Sequence, residues 1–197
     1  MRHILIIFML LAFTVHPASA QTYETEHGGV SLKIVADGLD HPWGLAFLPD
    51  GTIIVSERDT GTLRLVTPDG AVMPPLKGTP EAYTSGQGGM LDIATDPDFK
   101  SNNLIYFSYA EPGEGGAGTA VARAKLDQSR NELNDVTVIF QQVPKTSGGR
   151  HFGSRLVFSP GGQLYITVGE RGERDRTQDF SIHRGQGSLE ISFCTLY

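Results

Sequence analysis

The chain has 197 residues, with 16 basic and 22 acidic side chains, a formal charge of −6, 24 glycines and one cysteine. A composition that is 39% hydrophobic and 19% charged is that of a folding chain, not a disordered one. The acidic balance argues against a nucleic-acid binder, which shows a basic stripe. A single cysteine leaves no internal disulfide and no cysteine-rich zinc site.

The chain opens as an export signal. Arg2 and His3 precede the apolar run Ile4 to Val15, His16 and Pro17 break it, and Ala18-Ser19-Ala20 supplies the small residues of a cleavage site. The run is too short to cross a bilayer, which takes about 20 residues, so a membrane anchor is the weaker reading. Cleavage after Ala20 places the product in the periplasm or outside the cell, without membrane insertion. Every glycine lies beyond that point, which signals a turn-rich fold.

The remainder repeats a phrase. In His41 to Gly70 (HPWGLAFLPDGTIIVSERDTGTLRLVTPDG), apolar stretches at Leu45–Leu48 and Thr52–Ser56 flank Pro49-Asp50-Gly51, and a third at Thr62–Thr67 ends in Pro68-Asp69-Gly70. The phrase returns at Gly88 to Tyr109 and at Phe152 to Gly169, with Pro49, Pro97 and Pro160 spaced by 48 and 63 residues. Such self-similarity in short strands predicts an all-β protein of the β-propeller type. A β-sandwich also recurs in strands, but it lacks the repeated turn phrase. The longer second interval leaves room for a glycine-rich loop at Glu111 to Gly118, and no stretch here has a helical period.

Candidate chemistry gathers where a loop meets a strand. His151 follows Gly148-Gly149 and precedes an apolar stretch, and imidazole suits a general base near neutral pH. A lone loop histidine is more often merely solvated, but Arg155 lies four residues on. The next strand ends in the sign-alternating run Gly169 to Arg176, which forms either surface ion pairs or a polar rim. Gln87, in Ser85 to Gly89, occupies the matching place one repeat earlier, as a turn residue or as a hydrogen-bond partner for a hydroxyl-rich substrate. The glycine runs fit neither a dinucleotide nor a phosphate loop, and no Gly-x-Ser-x-Gly elbow occurs. His27, His41, His151 and His183 lack metal-ligand spacing, and Asp96-Pro97-Asp98 reads as a turn, so no metal ligands are assigned.

The blocks HPWGLAFLPDG, SERDTGTLRLV, GQGGMLDIATDPDF, GGRHFGSRLVF and VGERGERDRTQD, in that order, resemble the soluble aldose sugar dehydrogenases of the glucose/sorbosone dehydrogenase family. The resemblance runs from about Leu39 to Gly185. It implies an exported six-bladed propeller using pyrroloquinoline quinone and calcium, which oxidises aldose sugars and passes electrons to an external acceptor. By the same resemblance His151, in HFGSRL, is the base that takes the proton from the anomeric hydroxyl. Gln87, Glu170 and, less directly matched, Asp175 lie on the substrate side. Residues 21–185 then hold about the first three blades. Beyond Gly185 the family pattern is not continued, and residues 186–197 read as an unrelated tail. The quinone and calcium contacts of the family fall outside the matched stretch, so the cofactor-binding residues are unknown and the chain is expected to be inactive as encoded. The alternative is a non-catalytic carbohydrate-binding or inert propeller fragment.

The exported form is expected to begin at Gln21. Mass analysis of its N-terminal peptide checks this, and a chain retaining the apolar run would contradict it.

Overall fold

The structure is a computed structural model that describes residues 21–173, Asp175, 183–185 and 190–191. The export signal at 1–20 lies outside the described residues, as does most of the tail. The chain divides into two compact units, Met1–Val35 and Ala36–Tyr197. The first is described by an antiparallel hairpin of β1 (Gln21–Thr25) and β2 (Gly28–Leu32). Its turn is closed by the Thr25 hydroxyl, which donates to Gly28 O at 2.7 Å.

The second unit contains three sheets among the described residues. The first sheet is β3 (Pro42–Phe47), β4 (Ile53–Glu57) and β5 (Thr62–Val66), paired antiparallel in chain order. The second runs β6 (Met90–Thr95), β7 (Leu104–Gly113), β8 (Gly116–Asp127) and β9 (Glu132–Gln142), with β12 (His183–Gly185) added at the β9 edge. The third pairs β10 (Gly153–Phe158) with β11 (Leu164–Val168), and β13 (Glu190–Ile191) lies parallel to β11. The fold is therefore all-β, with the successive antiparallel sheets of a β-propeller, as the repeat predicts.

The proline phrase makes the hairpin turns. Leu48 and Thr52 close Pro49-Asp50-Gly51, where Gly51 takes a φ of 87° that disfavours any side chain. Ser159 and Gln163 close Pro160-Gly161-Gly162 in the same way. At Asp96-Pro97-Asp98 the turn is extended by one helical turn, α1 (Phe99–Asn102), which ends at Asn103 in the left-handed region. Its single turn is too short to leave a helical period in the sequence. Glu111 to Gly118 also differs from expectation, since it is no free loop but the tip of the long β7–β8 hairpin. Glycine suits that tip because a Cβ at Gly113 would press on the Lys145 side chain at 3.1 Å. Lys145 itself is ion-paired with Glu111.

Apolar side chains fill the spaces between sheets. Ile54, Leu63 and Leu65 of the first sheet pack with Met90, Ile93 and Phe107 of the second. Val121 and Phe140 pack with Leu156, Ile166 and Val168 of the third. Burial of this kind supplies the main driving force for the fold.

A finer repeat lies beneath the turn phrase. The first strand of each sheet carries a β-bulge, between Pro42 and Leu45, between Met90 and Ile93, and between Gly153 and Leu156. The bulges share the 48- and 63-residue spacing of the prolines. A bulge frees backbone groups from the ladder, and when buried these need other partners. Gly44 N–H donates to Ser56 Oγ at 2.9 Å, Asp92 N–H to Ser108 Oγ at 2.9 Å, and Arg155 N–H to Thr167 Oγ1 at 2.8 Å. The Ser56 hydroxyl then donates to Leu91 O in the next sheet, and the Ser108 hydroxyl to Ser154 O at 2.7 Å. The first sheet is thus bonded to the second, and the second to the third, at the bulges.

Gly44→Ala tests this seam, because the new Cβ would lie 2.7 Å from Leu91 O. It is expected to destabilise the chain by about 1–3 kcal/mol. Urea unfolding with an unchanged midpoint would show that the seam yields freely.

Candidate active site

His151 stands at the mouth of the third sheet, two residues before β10. Gly149 and His151 both take left-handed backbone angles, φ 57° and 54°. The first is easy for glycine, whereas the second is uncommon for a residue with a side chain. Fixed partners hold the loop in this conformation. Gln87 grips it twice, its N–H donating to Gly149 O and its Oε1 accepting from His151 N–H, both at 2.8 Å. Phe152 O accepts from the Thr119 hydroxyl at 2.6 Å and from Gly169 N–H at 3.1 Å.

The imidazole is fastened at one nitrogen. His151 Nδ1 bonds Glu170 Oε1 in a short contact, and the same carboxylate oxygen accepts from Gly172 N–H at 3.2 Å. A carboxylate on Nδ1 places the proton there and leaves Nε2 with its lone pair, the form a general base needs. The histidine side chain is 47% exposed and Glu170 15%. Burial works to raise the Glu170 carboxyl, but the hydrogen bond from His151 and those of the Glu170 and Gly172 backbone outweigh it and hold the group below its ordinary range.

Beside this pair lies a cleft of about 270 Å³ lined by Trp43, Arg58, Gln87, Leu91, His151, Phe152 and Gly153. The Arg58 Nε donates to Asp59 at 2.6 Å. Behind the loop, Arg171 is 1% exposed, with its guanidinium 3.3 Å from the Phe152 ring centroid and a donor on Arg150 O. The run Gly169 to Arg176 is therefore not a uniform surface strip. Its first arginine, Arg171, is buried under the histidine loop, while Glu170 faces the imidazole.

Of the residues singled out from the sequence, Gln87, His151 and Glu170 come together. Asp175 is exposed and shares no hydrogen bond with them among the described residues. The sequence reading passed over Trp43, Arg58, Leu91, Thr119 and Arg171. Trp43 and Leu91 occupy the same bulge position in successive repeats, a signal that aligning the repeats on their prolines would have exposed. Among the described residues no three His, Cys, Asp or Glu side chains gather as a metal site.

The chain is thus an all-β protein of the propeller type with a carboxylate-held histidine beside a cleft. The sequence profile of the Glucose / Sorbosone dehydrogenase family matches residues 39–188, and the chain belongs to that family. It is 40% identical over 158 residues to the aldose sugar dehydrogenase YliI of Escherichia coli (strain K12), across 80% of this chain and 43% of that protein. The apo crystal structure of the soluble aldose sugar dehydrogenase of Escherichia coli matches with a TM-score of 0.72 at 41% identity, over 76% of this chain and 44% of that one. The structure of the PQQ-bound form of the aldose sugar dehydrogenase of Streptomyces coelicolor matches with a TM-score of 0.67 at 32% identity, over 83% and 46%. The chain thus spans less than half the length of the curated relatives it matches. No helix of the described residues is long and apolar enough to cross a membrane.

The depressed Glu170 carboxyl makes a signed prediction. Its contribution to stability is present above the ordinary value of 4.5 and is lost as pH falls through the lower folded value. Glu170→Gln is expected to cost about 1–2 kcal/mol near neutral pH and nothing in strong acid. Urea unfolding across a pH series checks this, and a pH-independent difference would contradict it.

Proposed function

We propose that this chain carries the sugar-side part of an exported aldose dehydrogenase, which oxidises the anomeric carbon of an aldose to the lactone. One observation carries the reading: His151 has Nδ1 fixed by Glu170 and, among the described residues, an unpartnered Nε2 beside a cleft. In that reaction the anomeric O–H proton passes to Nε2, the C1 hydride leaves to an acceptor, and the C1–O bond becomes a carbonyl. The imidazolium formed is stabilised by the Glu170 carboxylate. Gln87 sets the loop and offers its amide to a sugar hydroxyl, Trp43 offers a flat apolar face to the ring, and the exposed Asp175 is a further substrate-side carboxylate in this reading.

Pyrroloquinoline quinone, bound in the Streptomyces relative, is the acceptor proposed here, and when bound it supplies the two-electron sink. The described residues offer it only one edge. Arg58 borders the cleft with both Nη atoms unpartnered among the described residues, a fit to a carboxylate or quinone oxygen. No described residue is assigned to calcium. Electrons then leave to an external acceptor, and the export signal places the reaction in the periplasm or outside the cell.

The second reading, a binding or inert propeller fragment, draws on the chain's share of its relatives' length. A dye-linked assay with quinone, calcium and several aldoses separates the two. The 197 residues alone are expected to give no turnover. A chimera with residues 39–188 in place of the matching segment of the Escherichia coli enzyme is expected to turn over, and His151→Ala within it to lose at least about 100-fold in kcat. Equal turnover with and without His151 would sink the proposed role.

A further inference from the structure

The bulge residues Gly44, Asp92 and Arg155 are repeat equivalents with the same backbone hydrogen bond, but only the middle one is a carboxylate. The Asp92 side chain is 2% exposed. Its Oδ1 accepts from Arg155 Nη1 at 2.9 Å and its Oδ2 from Leu156 N–H at 2.8 Å. A buried carboxylate survives only where such bonds replace its lost water. Gly44 leaves it room, since a Cβ there would approach Asp92 Oδ1 to 3.0 Å. Arg155, 59% exposed, extends the path, with its guanidinium 5.4 Å from the ring centroid of Trp43, a wall of the cleft.

We infer that Asp92, with Arg155, is a positioning residue for His151. The carboxylate fixes β10 at Leu156 and, through Arg155, ties that strand to the Trp43 wall, so that base and wall keep one separation. Apolar residues of equal volume would join the sheets as firmly, or more so. What the ion pair adds is direction, with two fixed bonds from β6 to one strand. The other bonds agree in direction: Gln87 on His151 N–H, Thr119 on Phe152 O and Ser108 on Ser154 O reach from the preceding repeat into the same strand or the loop that leads into it. The geometry stands by itself, and only its meaning for catalysis rests on the proposed role of His151.

Amide hydrogen exchange and imidazole ¹⁵N NMR of the 197-residue chain test this. In Asp92→Asn the amides of His151 and Leu156 are expected to exchange at least about 10-fold faster, while Ile54 and Val55 in β4 stay within about twofold. The His151 ring nitrogens are expected to shift as its alignment to Glu170 changes. Arg155→Ala removes an exposed side chain and spares the Leu156 bond, so it keeps the test open if Asp92→Asn fails to fold. It is expected to move the same signals by less. Unmoved His151 signals in a folded variant, or equal loss of protection in β4 and β10, would overturn the inference. In the chimera, Asp92→Asn is expected to lower kcat up to about 100-fold with KM little changed. If the NMR signals move while His151→Ala keeps full turnover, the positioning stands and the dehydrogenase reading falls.

Discussion

The hydrogen bonds at the bulges govern what the rest of the molecule can do. A bulge takes two residues of a strand out of the ladder, and in the first two sheets it frees a buried N–H that water cannot satisfy. Side chains of neighbouring strands satisfy them instead, through Ser56, Ser108, Thr167 and Asp92. Two of the hydroxyls also reach the following sheet, so the relative height of successive sheets is set by directional bonds. Apolar packing between the sheets is stronger in sum but indifferent to small slips. The seam removes that freedom, and the His151 loop begins where the seam ends.

That placement explains how a residue on a loop can hold a defined geometry. The loop 148–152 is gripped by Gln87 from the turn before β6, by Thr119 of β8 and from behind by Arg171, so its backbone is held at Gly149, Arg150, His151 and Phe152. The side chain is then oriented by Glu170, which lies one residue past the glycine that follows β11. Because β10 and β11 are a hairpin, base and carboxylate are brought together by the local pairing of Gly153 with Val168. The site's internal geometry therefore belongs to one hairpin, and its attitude toward the cleft belongs to the contact between hairpins.

The turns were legible in the sequence because proline and glycine act locally. Pro49, Pro97 and Pro160 mark the hairpins and their spacing fixes the repeat. His151, Gln87 and Glu170 were also legible, through the ordered blocks that resemble the family. The seam was not. Ser56, Ser108 and Thr167 read as ordinary strand residues, since nothing in a hydroxyl's neighbours tells which carbonyl it will meet in another sheet. Asp92 sits inside the apolar stretch MLDIAT and looks like an outward-facing strand residue, while its partners lie 63 and 64 residues away. Arg171 was hidden for the opposite reason, as one charge among many in a run that resembles solvated surface. The β1–β2 hairpin went unseen because its turn, Glu26-His27, has no proline.

What separates a site from a well-made joint is strain that folding does not require. The bulge bonds, the buried hydroxyls and the packed leucines all serve the assembly of the sheets, and a propeller with no activity would need them equally. His41 shares a left-handed angle and a carboxylate on Nδ1, and Ser154 and Arg171 share the angle, but of these four only His151 lines the cleft. Its φ of 54° is a conformation that glycine adopts at little cost and that other residues hold at about 1–2 kcal/mol. A glycine there would keep the N–H bond to Gln87 and relieve the strain. The imidazole contributes no core packing, being half exposed, and one carboxylate is engaged in orienting it. Strain of this kind persists where the surroundings over-determine it, and it collects at functional sites.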